Sequence, residues 1–501
     1  MKKFALAALV AALSMSTALP VSAQVANDDR TLALAALLDN NSFDRAQLMI
    51  ANQIQFWQPV FDTLLVMEPD GSLKPNLVTE WAYNDTNSVL DLKLREGVTF
   101  TDGVALDAEA VKANLEYLKV GGGQNSYMAA SIAQIEVISP TELRLHLGEP
   151  DPGLLEHLSV VGGAMASPAT FGAESAATHP IGSGPYIYDT DASVAGRQYV
   201  YNRNPDYWNP EAYPFERVTI TPINDAVARL NALKAGQVDA GLAEASMVAD
   251  ATSQGLVLNA NDVNWIGLTL ADRAGQVAPE LADVRVRQAI NMAFDKTSIL
   301  QFFDLGFGRL DDQIFPTYSA AYDPELEARY PYDPEAARAL LAEAGYGDGF
   351  TLTMPELASM ANLNPIVEQQ LADIGITVDW VAIAPNMTVP ELRSGRYPAF
   401  LFQFGYQGDW AELRKFAFAN SPWNTSAYQD AELDALVQQV QYASGDAQAA
   451  LYQDINRYFV ENAFFAPWYR RETIYLTNAS VEVGMQAGNA VPFLRNYAPA
   501  N

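Results

Sequence analysis

Three histidines, His146, His157 and His179, are the only imidazoles in the chain, and cysteine is absent. Those two facts settle much of the available chemistry. Without thiols there is no disulfide, no thiolate metal site, no cysteine nucleophile and no lipid-modified cysteine. The histidines are scattered, and none stands in an H-E-x-x-H pair; G-x-S-x-G and P-loop patterns are also missing. No spacing joins a nucleophile to an oriented base or brings two carboxylates together, so a secreted hydrolase is not supported. No cofactor and no metal are expected. Aromatic residues, by contrast, are plentiful. The chain has 8 Trp and 23 Tyr, side chains that stack on rings and sugars or fill cores. Residues 402–410 gather Phe402, Phe404, Tyr406 and Trp410 around Gly405, Gly408 and one carboxylate, Asp409.

The elements that position such residues belong to a large, acidic protein. The 501 residues carry a formal net charge of −30, which repels phosphate backbones and anionic lipid heads, so nucleic acid is not an expected partner. Lys2 and Lys3, an apolar run over 4–13 and the small residues Val21, Ser22 and Ala23 read as a signal peptide cut after Ala23. The product is expected to be exported, periplasmic in a double-membrane bacterium, and not lipid-anchored. Strand and helix signals alternate through the remainder, which gives a mixed α/β class. Leu90, Leu92 and Leu94 alternate with polar residues, as do Leu143, Leu145 and Leu147, and Phe350, Leu352 and Met354. Helices are predicted over 107–118 with Asp107 as N-cap, over 284–303, and over 333–345 with Pro334 in the first turn and Gly345 at the end. The glycine-rich stretch 121–126, followed by Tyr127, reads either as a mobile loop over a site or as an ordinary helix-ending loop.

Five stretches, in order, resemble the extracytoplasmic solute-binding proteins of ABC importers, family 5, the peptide/nickel class. They are 61–71 with 75–81; 94–103, which reads L-R-E-G-V-T-F-T-D-G; 181–186 with Arg203, Asn204, Pro205, Asp206, Tyr207 and Trp208; 283–289, D-V-R-V-R-Q-A; and 332–346. The residue types in these motifs, such as Gly182, Gly184 and Arg285, suit tight turns and pinned chains, so they identify a fold rather than a ligand. The resemblance implies a two-lobed periplasmic-binding-protein fold that closes on its ligand like a flytrap, with an extra subdomain inserted in the first lobe. Its expected division is a signal peptide over 1–23, first lobe over 24–58, 180–263 and 473–501, inserted subdomain over 59–179, and second lobe over 264–472. It also implies a monomer that delivers a peptide-like solute to permease subunits in the inner membrane. An oligosaccharide or glycoside binder of the same fold is the alternative.

In peptide-binding members of that family an Asp after a Gly-aromatic step pairs with the peptide ammonium, and Asp409 is the matching position. Gly405, Tyr406 and Trp410 accompany it as candidate ligand contacts. Trp57, Trp265 in the expected first crossover strand, and Asn41 in a segment resembling the family's D-P-x-S-L-D cleft edge complete the set. Dipeptide-binding members also carry an Arg for the ligand carboxylate. Here that neighbourhood, 361–365, has none, which speaks against a dipeptide.

Overall fold

Alternating burial decides the first sheet. In Val89–Leu94 the leucines point into the core while Asp91 and Lys93 face water. This strand pairs antiparallel with Val78–Tyr83 and Glu142–Leu147, and Ile132–Ser139 completes four strands. The helix Ala108–Val120 covers their apolar face with Val111, Leu115 and Leu118. Its start is fixed by Asp107, whose carboxylate accepts the N–H of Ala110 at 3.0 Å. Together these elements form the subdomain inserted in the first lobe of the computed structural model, which describes residues 31–500. The signal-peptide reading concerns residues outside that range.

A larger sheet holds the rest of the first lobe. Thr31–Ala36 runs parallel to Arg217–Pro222 on one side and to Ala240–Ala243 on the other. Two long strands, Val257–Leu270 and Phe465–Thr477, then carry this sheet into the second lobe. Their pairing is antiparallel, with register shifts between Asp262 and Asn264 and between Ile266 and Gly267. On the first-lobe side Phe465–Thr477 pairs with Ala240–Ala243; on the second-lobe side Val257–Leu270 pairs with Ala399–Gly405. Two separate large cores flank the crossing, one built mainly from residues 32–242 and 475–497, the other from 265–469. The fold is therefore two lobes joined by a pair of crossing strands.

The motif residues work as structural ties. Asp62, 4% exposed, accepts from the Tyr207 hydroxyl at 2.8 Å, the Trp208 indole at 3.1 Å and the Ser183 hydroxyl at 3.3 Å. Burial pushes its carboxyl up to about 6 against the pull of those donors. Arg95 lays its guanidinium 3.9 Å from the centre of the Trp208 ring. Gly182 is required by close approach: a Cβ there would meet the Val60 carbonyl oxygen at 2.1 Å. Arg285 forks onto Asp283, and buried Arg287 donates to the carbonyls of Leu281 and Asn462.

One predicted helix is interrupted. Residues 284–303 form Val284–Met292 and Lys296–Phe303, because the Asp295 carboxylate accepts the N–H of Ser298 and starts a new helix inside the apolar pattern. The helix Pro334–Glu343 has the expected Asp333 cap, and Gly345 takes φ +94 just beyond it. The stretch 121–126 is tied down rather than loose. A Cβ on Gly123 would sit 1.8 Å from the Ala46 carbonyl oxygen, and Asn125 donates to the Leu48 carbonyl at 2.8 Å. Among the described residues no helix is long and apolar enough to cross a membrane.

Candidate functional site

Between the lobes lies a cavity of about 1100 Å³, just above the range usual for small-molecule sites. Tyr127, Asp151 and Glu156 line it from the first lobe; Asn264, Tyr406 and Asp409 line it from the second. The second-lobe wall follows from one strand and one helix. Ala399–Gly405 pairs with Val257–Leu270, placing Gly405 opposite Asn264. The chain then turns through Gly408, at φ +107, into the helix Asp409–Phe416. Glu412, fully buried, locks this turn: its Oε1 accepts the N–H of Gln407 at 3.0 Å and the Lys415 ammonium at 2.6 Å. Lys415 Nζ also donates to the Gly405 carbonyl at 2.7 Å.

Asp409 opens that helix and is 8% exposed. Its carboxylate accepts from the Tyr406 hydroxyl at 2.8 Å, from the Ser319 hydroxyl, and from the N–H of Ala320 at 3.2 Å. Burial raises its pKa, and these donors oppose the rise. Neutral donors hold the anion, and no Lys or Arg forms an ion pair with it among the described residues. The site thus presents a buried carboxylate with room beside it for a cation.

Glu156 faces it from the other lobe. It stands on the short helix Leu154–His157, and its carboxylate lies so close over Gly408 that a Cβ there would be 1.9 Å from Oε2. Burial, then the charges of Asp409 and Asp151, push its carboxyl up to about 8. His157 beside it has a buried Nδ1 without a hydrogen-bond partner, and its ring meets Tyr127 edge-on at 5.6 Å. Burial lowers the pKa of that imidazole.

The expected residues divide into two groups. Gly405, Tyr406, Asp409 and Trp410 all line the cavity. Three others do not, and the structure corrects their assignment. Trp57 is 1% exposed in the first-lobe core, its indole N–H donating to the Met49 carbonyl at 2.7 Å. Trp265 is fully buried in the second-lobe core, packed on Phe404 and Phe465 at 5.3 and 5.4 Å. Strand alternation explains the miss: the neighbouring residue, Asn264, turns to the cavity. Asn41 is exposed and lies outside the lining, which the chain instead reaches at Ile50, Ala51 and Asn52. Sequence reasoning passed over Asp151, Glu156 and Ser319, and weighed His157 only against a metal role. The run Pro152, Gly153, Leu154, Leu155, Glu156 reads as an ordinary amphipathic turn with an acid on its wet face, and only the tertiary fold brings that acid to Asp409.

Among the described residues no group of three or more His, Asp or Glu side chains could hold a metal ion. His146 sits 3.1 Å from Glu136 on a strand, and His179 bonds the Thr178 hydroxyl at 2.8 Å.

Comparison with known proteins agrees with this architecture. The glutathione-binding protein GsiB of Escherichia coli O157:H7 is 26% identical over 466 residues, covering 85% of this chain and 86% of that one. HbpA2 from Haemophilus parasuis superimposes with a TM-score of 0.84 at 23% identity, over 94% of this chain and 100% of the other. The periplasmic binding protein DppA from Helicobacter pylori, in complex with the peptide STSA, gives a TM-score of 0.73 at 20% identity, over 94% and 98%. The model for bacterial extracellular solute-binding proteins, family 5 Middle, matches residues 72–454. Two lobes around a cleft, five ordered motifs and that match over most of the chain place this protein in the family 5 solute-binding proteins of ABC transporters.

Proposed function

We propose that the protein captures, in the periplasm, a peptide-like solute with a free ammonium group and passes it to the permease of an ABC importer. The observation that carries this reading is Asp409: a carboxylate nine-tenths buried on the cavity wall, held by two hydroxyls and one N–H, with no cation of its own. A buried anion in that state gains most from a charge-assisted hydrogen bond supplied by a ligand. Hinge closure over the ligand follows from contacts that only the closed form makes, since the cavity wall is divided between the lobes. Binding and release need no covalent step. The names of the relatives fit the class: one binds glutathione, itself a tripeptide with a free amine, and another holds a four-residue peptide.

The glycoside alternative needs exposed rings for sugars to stack on. Trp57 and Trp265 are buried in the two cores and Trp410 is only 6% exposed, which leaves tyrosines, above all Tyr127 at 48% exposed on the cavity wall, as the rings open to stacking. The test is a thermal-shift panel on residues 24 onward with dipeptides, tri- to pentapeptides, glutathione and oligosaccharides. A ligand bound to the native state raises the melting temperature. The expected result is a rise with peptides of three or more residues, lost in Asp409→Ala. A rise with sugars alone, retained in Asp409→Ala, would overturn the reading.

A further inference from the structure

The first-lobe wall of the cavity carries two acids, Asp151 and Glu156, and the second-lobe wall carries Asp409. Glu156 is the least satisfied of the three. The N–H of Gly153 donates to Asp151 at 3.1 Å, and three donors serve Asp409. The Glu156 carboxylate receives no hydrogen bond among the described residues. Its carboxylate nevertheless crosses the cleft and rests against Gly408, one residue before Asp409. The other ionisable groups around it do not neutralise it. From its own lobe these are Asp151 and His157; from the strand and helix opposite, Tyr406, Asp409 and Glu412; from the helix Gly445–Glu461, Tyr452. Lys415 is engaged by Glu412, and Arg414, on the cavity rim, leans over Phe418.

Two carboxyls from different lobes, near enough to raise the Glu156 pKa and with no Lys or Arg paired to either among the described residues, form half of a binding contact. We propose that Glu156 and Asp409 are the two halves of a split cation site, and that one ammonium or guanidinium group of the ligand sits between them. This rests on the cavity being the ligand site, as argued above, and adds a specificity residue to it. With its carboxyl pushed up to about 8, Glu156 is largely protonated at neutral pH; a cation placed between the two acids favours release of that proton to solvent and turns the pair into an attraction that only the closed form makes. Ligand charge is thereby coupled to hinge closure. Neutral and N-blocked ligands of the same shape fail to close the lobes. The glycine at 408 is part of the device, because any side chain there would displace the Glu156 carboxylate.

Calorimetric titration of the mature chain tests this with three probes: trialanine, N-acetyltrialanine and the diamine putrescine. The wild type is compared with Asp409→Asn, Glu156→Gln and Glu156→Lys. The isosteric Glu156→Gln should weaken every ammonium-bearing probe by about tenfold or more. Glu156→Lys supplies the cation from the protein itself, so it should abolish binding of those probes while raising Tm, which also shows that it is folded. A loss below about fivefold in Glu156→Gln, or unchanged binding in Glu156→Lys, overturns the split site. So does a wild type that binds neither trialanine nor putrescine. If trialanine binds and needs Asp409 but not Glu156, the split site falls and the peptide reading stands. If putrescine alone binds and needs both acids, the peptide reading falls and the split site stands.

Discussion

Asp62 and Asp409 are both buried carboxylates with raised pKa values, and they serve opposite ends. Asp62 is surrounded by donors of its own lobe: the hydroxyls of Tyr207 and Ser183 and the indole of Trp208. All of them move with it, so nothing about that cluster changes when the hinge works. Asp409 is held from its own lobe by Ser319, Ala320 and Tyr406, but Glu156 reaches toward it from the other lobe. A closed set of donors makes a rivet; an incomplete set distributed over two lobes is what the proposed ligand site needs. Burial alone does not separate the two cases. What separates them is whether the missing partners can come from the protein or only from a ligand.

The largest expected effect sharpens that contrast. Asp62→Ala leaves three buried donors without an acceptor and should cost about 3 kcal/mol of stability in urea unfolding. Asp409→Ala should cost only about 1 kcal/mol, because its released hydroxyls face a cavity that admits water. The comparison breaks if the order is reversed: a larger loss at Asp409 would make it a second rivet.

This asymmetry also explains what was legible in the sequence. The motif stretches are dense because each residue answers a local demand. Gly182 makes room for the Val60 carbonyl, Ser183 and Trp208 reach Asp62, and Asp107 and Asp333 cap helices. Such demands leave a signature in residue type and spacing, so the lobed architecture could be read early. The second-lobe wall was legible for a similar reason, since 405–410 lies in one short run. The first-lobe wall was not. Glu156 is 253 residues from Asp409, and no local pattern distinguishes it from a surface acid. Trp265 failed by strand parity, since a one-residue step along a strand exchanges cavity for core.

A pH titration of stability separates the two regions more finely. Asp62, Asp311 and Glu156 have folded values of about 6, about 7 and about 8, all above those of an unfolded carboxyl. A raised acid binds its proton more tightly in the folded state. Its contribution is therefore fully present below the unfolded pKa and is lost as pH rises through the folded one. Tm should fall progressively between about pH 4 and pH 8. Asp62 contributes to that fall up to about pH 6, Asp311 up to about pH 7 and Glu156, on the cavity wall, over the whole range up to about pH 8. Glu156→Gln should make the profile shallower throughout, most visibly between about pH 7 and pH 8, while part of the slope below about pH 6 remains from Asp62. A slope between about pH 7 and pH 8 that survives Glu156→Gln would mean that the upper part of the fall does not come from the cleft.

The smallest expected effect lies at the edge of the site. Asn41 stands in the segment that resembles a cleft edge, yet its side chain is exposed, makes no hydrogen bond among the described residues and lies outside the cavity lining. Asn41→Ala should change neither Tm nor ligand affinity beyond about 0.5 kcal/mol, the usual range for a free surface position. The contrast with Glu156 is instructive, because both are polar first-lobe residues and only one crosses to the second lobe. A loss of affinity larger than about fivefold in Asn41→Ala would show that closure on a ligand travels further than the cavity now described. It would move the first-lobe contact surface from Glu156 toward the loop that follows Thr31–Ala36, and Asn41 would then read as a contact made only in the liganded form.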